Sequence, residues 1–212
     1  MPSVQSEFNG TPFLSIVGGK LVKKVESGTP GAKERVNKLG NTVYEVAFDA
    51  WRGIVKGWSI VDSDYGKTLH VNFDDVTLSL GGKSQSEFIK RFAGAVKDQE
   101  ITVKPYDFVT DDGKRKSGLT MVQNGEKLKD FFSDYDAETH TFTYKNFYPV
   151  PPTSWDKMTE AQKKIYYITT EEFLQTFVAN NPINNIGSDT NDNDIDDIIS
   201  KEDTVDLNSV PF

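Results

Sequence analysis

From Ile101 to Gln123 the chain reads ITVKPYDFVTDDGKRKSGLTMVQ, two runs of alternating apolar and polar residues, Ile101 to Val109 and Lys114 to Val122, on either side of Asp111-Asp112-Gly113. Alternation with period two places successive side chains on opposite faces of a strand. Asp-Gly between two such runs closes a hairpin, because glycine accepts the positive φ that tight turns need. The pattern predicts a β-hairpin that buries Ile101, Val103, Leu119 and Met121 on one face. Its exposed positions mix cations with rings: Lys104, Tyr106 and Phe108 on the first strand, Lys114, Arg115 and Lys116 on the second. Phosphates need charge and unpaired bases need a flat face, so such a surface suits a single-stranded nucleic acid. The same lysines also fit a solvated outer face over a core.

The chain before the hairpin is organised in the same way. Residues 13 to 25, FLSIVGGKLVKKV, are expected as extended structure interrupted at Gly18-Gly19. A flexible stretch with Lys33, Arg35 and Lys38 follows, either a solvated loop or a basic arm that orders on a polyanion. Val43 to Val61 reads as one long strand bent at Gly53 and Gly57, passing between two halves of a barrel. Leu69-Val71-Phe73 and Val76-Leu78-Leu80 complete a three-stranded meander. Ser84 and Glu87 have the spacing of a capping box, and Phe88, Ile89, Phe92, Ala95 and Val96 recur at helical spacing. Three strands, a helix and a closing hairpin form the element order of an OB-fold barrel.

Beyond the hairpin, Thr139 to Tyr148 alternates again. Thr159 with Gln162 and Thr169 with Glu172 predict two helices, the second with Phe173, Leu174, Phe177 and Val178 on its apolar face. The expected fold is mainly β: an OB-fold barrel with an N-terminal extended segment, one barrel helix, a C-terminal helical pair and a disordered acidic tail. The corresponding divisions are 1–150 for the OB-fold domain with its N-terminal extension, 151–181 for a helical extension packed on the barrel, and 182–212 for the tail.

Several function classes have no support in the composition. The 212 residues contain no cysteine, hence no thiolate metal site or disulfide framework, and the two histidines, His70 and His140, lie far apart without a surrounding motif. The pairs Asp74-Asp75 and Asp111-Asp112 are accounted for by turn chemistry rather than by a metal site. No enzyme activity and no cofactor are expected. No apolar run reaches the roughly 18 residues of a membrane helix, and MPSVQSEFNG lacks a signal-peptide pattern. A cytoplasmic protein without a membrane partner is therefore expected.

The net charge of −8 is unevenly distributed. Residues 187 to 212 carry eight acids against Lys201, a local −7, which leaves −1 for residues 1 to 186. The low-complexity acidic segment, with Ile195, Ile198 and Ile199 as its one apolar cluster, has the composition of a disordered tail. It closes on Val210-Pro211-Phe212. A terminal ring beside a free carboxylate, with Asp206 nearby, has the chemistry of a ligand for an apolar pocket with a basic rim.

Taken together, these features resemble the single-stranded DNA-binding proteins, whose bacterial members end in an acidic tip closing on Pro-Phe and whose tailed-phage counterparts carry similar aromatic-ended tails. The stretches FLSIVGGKLVKKV, GTPGAKERVNK and EITVKPYDF with DDGKRKSGLTMVQNGEKL are most similar to a phage-encoded type. The resemblance covers residues 13 to 130 and the tip. It implies binding and protection of single-stranded DNA in replication or recombination, in the cytoplasm of a host cell. DNA contacts would come from Lys24, Arg35, Lys104, Lys114 and Lys116, and stacking from Trp58, Tyr65 and Tyr106, with Trp51 in the core. Asp206, Val210, Pro211 and Phe212 would bind replication or recombination proteins. The N-terminal extension and the helices after the barrel depart from the bacterial type, so its tetramer is not implied. The alternative is a β-rich structural or adaptor protein of a virion that binds protein rather than DNA.

Overall fold

The computed structural model describes residues 11–37, 39–63 and 66–183. The acidic tail, its tip residues Asp206, Val210, Pro211 and Phe212, and the candidate stacking residue Tyr65 lie outside the described residues. Within them the chain is mainly β with two helices, and its sheets do not close into the expected barrel. One open sheet contains β1 (Phe13–Val17), β2 (Lys20–Val25), β3 (Lys33–Val36), β4 (Thr42–Phe48), β6 (Gly57–Ser63), β7 (Gly66–Asn72) and β8 (Thr77–Gly81), in the order β3-β4-β2-β1-β8-β7-β6. A second open sheet has the order β11-β10-β9-β5, formed by β5 (Trp51–Ile54), β9 (Glu100–Val109), β10 (Arg115–Gln123) and β11 (Glu126–Lys127). A separate hairpin pairs β12 (Ser133–Asp136) with β13 (Thr141–Tyr144). Helix α1 (Gly82–Phe92) follows β8, and α2 (Glu160–Asn180) closes the described chain.

The long strand expected over Val43 to Val61 is three strands. The chain leaves the first sheet after Phe48, runs through the second as β5, and returns to the opposite edge of the first as β6. The breaks fall at Asp49-Ala50 and Val55-Lys56, not at the glycines. Gly53 has a different use: a Cβ there would lie 2.9 Å from the Phe73 ring, so the ring packs directly on the β5 backbone.

Leu14, Leu21, Leu69, Val71, Leu78 and Leu80 of the first sheet meet Ile101, Val103, Leu119 and Met121 of the second in one buried cluster. Phe88, Ile89 and Phe92 of α1 join it, as do Leu174 and Val178 of α2. The tip of the β1–β2 hairpin, with Gly18 and Gly19 both at positive φ, also ties the sheets together. A Cβ on Gly19 would stand 2.5 Å from the Asp107 amide nitrogen of β9, so no larger residue fits.

Three local expectations change in the folded chain. The basic stretch at Lys33 and Arg35 is a strand, paired along β4. The predicted capping box at the start of α1 does not form; the N-cap is Gly81 with no side-chain cap, and Glu87 is recruited elsewhere. The predicted helical pair is one helix. Thr159 and Gln162 do form their capping box, but Thr169 lies mid-helix with its hydroxyl donating to the Ile165 carbonyl at 3.0 Å, and only a 3-10 turn at Trp155–Lys157 precedes the helix.

Helix α2 packs on the sheets through rings. Phe132, 1 % exposed, has Phe173, Phe177 and Phe131 edge-on with centroids 5.1–5.4 Å away, and Tyr148 tilted at 5.6 Å. Truncating so central a ring removes both its transfer energy and the contacts of its neighbours. Phe132→Ala should therefore lower stability by about 3–5 kcal/mol, measured by urea unfolding. A loss below about 1 kcal/mol would show that α2 is held by other contacts.

Candidate nucleic-acid interface

The β9–β10 hairpin forms as the sequence predicts. Gly113 at φ 78° donates its N–H to the Thr110 carbonyl at 2.8 Å, and Thr110 N–H donates to Lys114 O at 2.9 Å. This is a type I turn followed by a left-handed glycine. The register pairs Phe108 with Lys116, Tyr106 with Gly118 and Lys104 with Thr120. Paired residues share a face, so Lys104, Tyr106, Phe108 and Lys116 stand together on the outer face while Val103, Leu119 and Met121 fill the core. Pro105 causes no loss of pairing. It lies beyond Val103, the last β9 residue opposed by β5, where no strand among the described residues accepts an N–H.

Helix α1 satisfies the free edge of β10. The Leu119 N–H donates to Glu87 Oε2 at 2.6 Å, and Lys83 Nζ donates to the Ser117 carbonyl at 2.5 Å. Two side chains thus stand in for a neighbouring strand. Gly118 lies between these contacts, and a Cβ there would meet the Tyr106 hydroxyl at 2.6 Å and Glu87 Oε2 at 2.7 Å. The Tyr106 ring therefore lies across the backbone of Gly118, beside Phe108 at 5.8 Å between centroids.

These rings line a groove of about 680 Å3 whose walls include Arg91, Lys116, Lys127, Lys129 and Asp130. Lys104 stands on the same face, opposite the lining residue Thr120. Lys104, Lys116, Lys127 and Lys129 form no ion pair among the described residues. The four unpaired lysines around Tyr106 and Phe108 create a positive field in a concave site, while Arg91 is paired with Glu87 at 3.6 Å and Asp130 is the one acid among the lining residues.

The remaining candidates fall outside this groove or are already committed. Lys114 pairs with Asp112 at 2.8 Å in the turn. Arg115 points to the other face and forms a fork on Asp107, with Nε to Oδ1 at 2.7 Å, which holds the Asp107 carboxyl below its ordinary range. Lys24 is exposed on β2, opposite Glu45. Arg35 forks onto that same Glu45, 7 % exposed, with contacts of 2.8 and 2.6 Å. Its guanidinium is engaged within the first sheet. Trp58, expected as an exposed stacking ring, is a core residue: its Nε1–H donates to the Asn181 carbonyl at 2.7 Å and its ring lies edge-on to Phe92 and Phe177. Trp51 packs against the core edge-on to Phe48.

Arg91, Lys127 and Lys129 are groove residues that the sequence reading missed. Lys127 and Lys129 flank Leu128, so continued alternation past the hairpin was the available signal. Nothing local marks Arg91, which reaches the groove only because α1 docks on the edge of β10. No family model, curated protein or solved structure matches the chain.

Two outcomes follow from this geometry. Gly118→Val should displace the Tyr106 ring and lower affinity for a single-stranded oligonucleotide by the ~1–3 kcal/mol of one stacked base, as read by fluorescence anisotropy. Unchanged affinity would mean that the ring is not used. The Arg35–Glu45 fork, led by the hydrogen bond, depresses the Glu45 carboxyl. A depressed folded-state value contributes stability above the unfolded value that is lost as pH falls through the folded one. Acid unfolding of Arg35→Ala should therefore begin at higher pH than wild type, while oligonucleotide binding at neutral pH stays unchanged.

Proposed function

We propose that the protein binds single-stranded DNA, without strong sequence preference and without catalysing a reaction, along the outer face of β9 and β10. The observation that carries this reading is the pairing of Tyr106 and Phe108 in one concave groove surrounded by Lys104, Lys116, Lys127, Lys129 and Arg91. Rings accept the faces of unstacked bases and cations track the phosphates. In a duplex the base faces are stacked on one another and unavailable to Tyr106 and Phe108. Two rings at ~1–3 kcal/mol per stacked base, with several phosphate contacts, supply useful affinity.

The element order supports an OB-like arrangement as the framework: β5 and β6, β7, β8, α1, β9 and β10 occur in the sequence of that fold, with β5 antiparallel to β9. The acidic tail completes the proposal. A −7 segment tethered to a nearly neutral body competes with phosphates for the groove cations at high effective concentration. DNA then releases the Val210-Pro211-Phe212 tip to replication or recombination partners. Cytoplasmic placement belongs to this reading; among the described residues, no helix is long and apolar enough to cross a membrane.

A second reading, an adaptor that binds protein, is favoured by the apolar side chains exposed on one flank of α2, Ile165 and Ile168 at 64 % and 46 %. Electrophoretic mobility with a labelled single strand and its duplex separates the two. Binding should favour the single strand, with a salt slope of about −0.7 per phosphate. The combined change of Lys104, Lys116 and Lys127 to Ala should flatten the slope by about 2, whereas changing Lys163 and Lys164 of α2 should leave it as it is. Equal affinity for duplex and single strand, or no binding to either, would refute the proposal. Deleting residues 187–212 should tighten binding most at low salt, where screening is weak.

A further inference from the structure

Lys145, Asn146, Phe147 and Tyr148 form a tight turn closed by the Tyr148 N–H on the Lys145 carbonyl at 3.1 Å. Both central residues are left-handed, Asn146 at φ 55° and Phe147 at φ 58°. Asparagine tolerates this region, but a bulky residue there carries a steric cost that glycine avoids. Burial normally offsets such a cost. Here it does not, since Phe147 is 99 % exposed, more than any other large apolar side chain among the described residues.

The turn is also rigidly mounted. Asn146 Nδ2 donates to the Phe131 carbonyl at 2.7 Å, Lys145 N–H donates to Phe132 O at 2.9 Å, and Tyr148 packs on the buried Phe132 ring. Phe131 directly follows Asp130, which lines the groove of Tyr106 and Phe108. The turn that carries the exposed ring is therefore anchored one residue from the Asp130 end of that groove. Lysines flank it: Lys90, 4.5 Å above the Tyr148 ring and 3.8 Å from Asp130, and Lys145, 3.0 Å from Asp134. Each of these lysines is thus paired with one of the two nearby acids, which leaves the turn close to neutral.

A strained, anchored and solvent-facing ring that contributes nothing to the core gains its use from an occupant. We propose that Phe147 stacks on a nucleobase of the single strand as it leaves the groove, extending the binding path past Asp130. This assignment rests on the groove being a nucleic-acid site. Continuity with the groove, where Lys104, Lys116, Lys127 and Lys129 form no ion pair among the described residues, favours a base over an apolar protein segment.

The test compares the full chain with Phe147→Gly, Phe147→Trp and Tyr106→Ala on a fluorescent oligothymidylate long enough to overrun the groove. Phe147→Gly should weaken binding roughly five- to 150-fold, the range of one stacked base, with an unchanged salt slope. It should melt no lower than wild type, because glycine relieves the left-handed backbone. Phe147→Trp should retain affinity. If Tyr106→Ala weakens binding and Phe147→Gly does not, the stacking assignment is overturned while the groove stands. A change in sedimentation with affinity unchanged would assign the ring to self-association and likewise overturn it. Failure of the wild-type chain to bind the oligonucleotide overturns both readings.

Discussion

The two sheets share one covalent run, residues 42–63, and most of the architecture depends on that sharing. β4 and β6 lie towards opposite ends of the first sheet, while β5 between them belongs to the second. The sheets cannot separate without pulling this segment out of one of them. Two opposed sheets linked in this way bury apolar faces against each other, and non-directional hydrophobic burial over that interface is the main favourable contribution to the fold. Gly19 against Asp107 and Gly53 beneath Phe73 are the close approaches that permit the distance.

Building the second sheet leaves a free edge on β10, which α1 resolves. An unpaired backbone edge costs free energy when buried and invites association when exposed. Glu87 and Lys83 satisfy it with side chains, and the arrangement has a functional consequence. The edge is covered from the side, and among the described residues Phe108 on the outer face of β9 stays half exposed. Tyr106 lies over Gly118 in the groove lining, and Arg91 is brought to the same groove by the helix that makes the edge contact.

The ring cluster around Phe132 has a comparable double role. It fastens α2 to the sheets through Phe173 and Phe177, and through Tyr148 it supports the turn that presents Phe147. Structural rings and presented rings are thus adjacent in the chain between Phe131 and Tyr148. Their exposure is decided by turn geometry rather than by residue type.

Local patterning determined the elements that depend only on near neighbours. Alternation from Ile101 to Val122 around Asp-Asp-Gly dictates the hairpin, its register and its two faces, because side-chain period and turn chemistry are local properties. The meander, the break at Gly18-Gly19 in the extended N-terminal segment and the Thr159 cap were legible for the same reason. Contacts distant in sequence decided the rest. Trp51 and Trp58 are an odd number of residues apart, which places them on opposite faces of one regular strand. Between them, however, the chain passes from one sheet to the one facing it, whose inner face points back, so both rings turn inward. Glu87 fits a capping box by spacing alone, but a backbone N–H of β10 competes for its carboxylate and holds it. Lys24 and Arg35 have the composition of a phosphate site, yet the pairing of β3 with β4 sets Arg35 on Glu45. Arg91 joins the groove because α1 packs where it does, a placement that arises from burying Phe88, Ile89 and Phe92 together and that no pattern within the helix encodes.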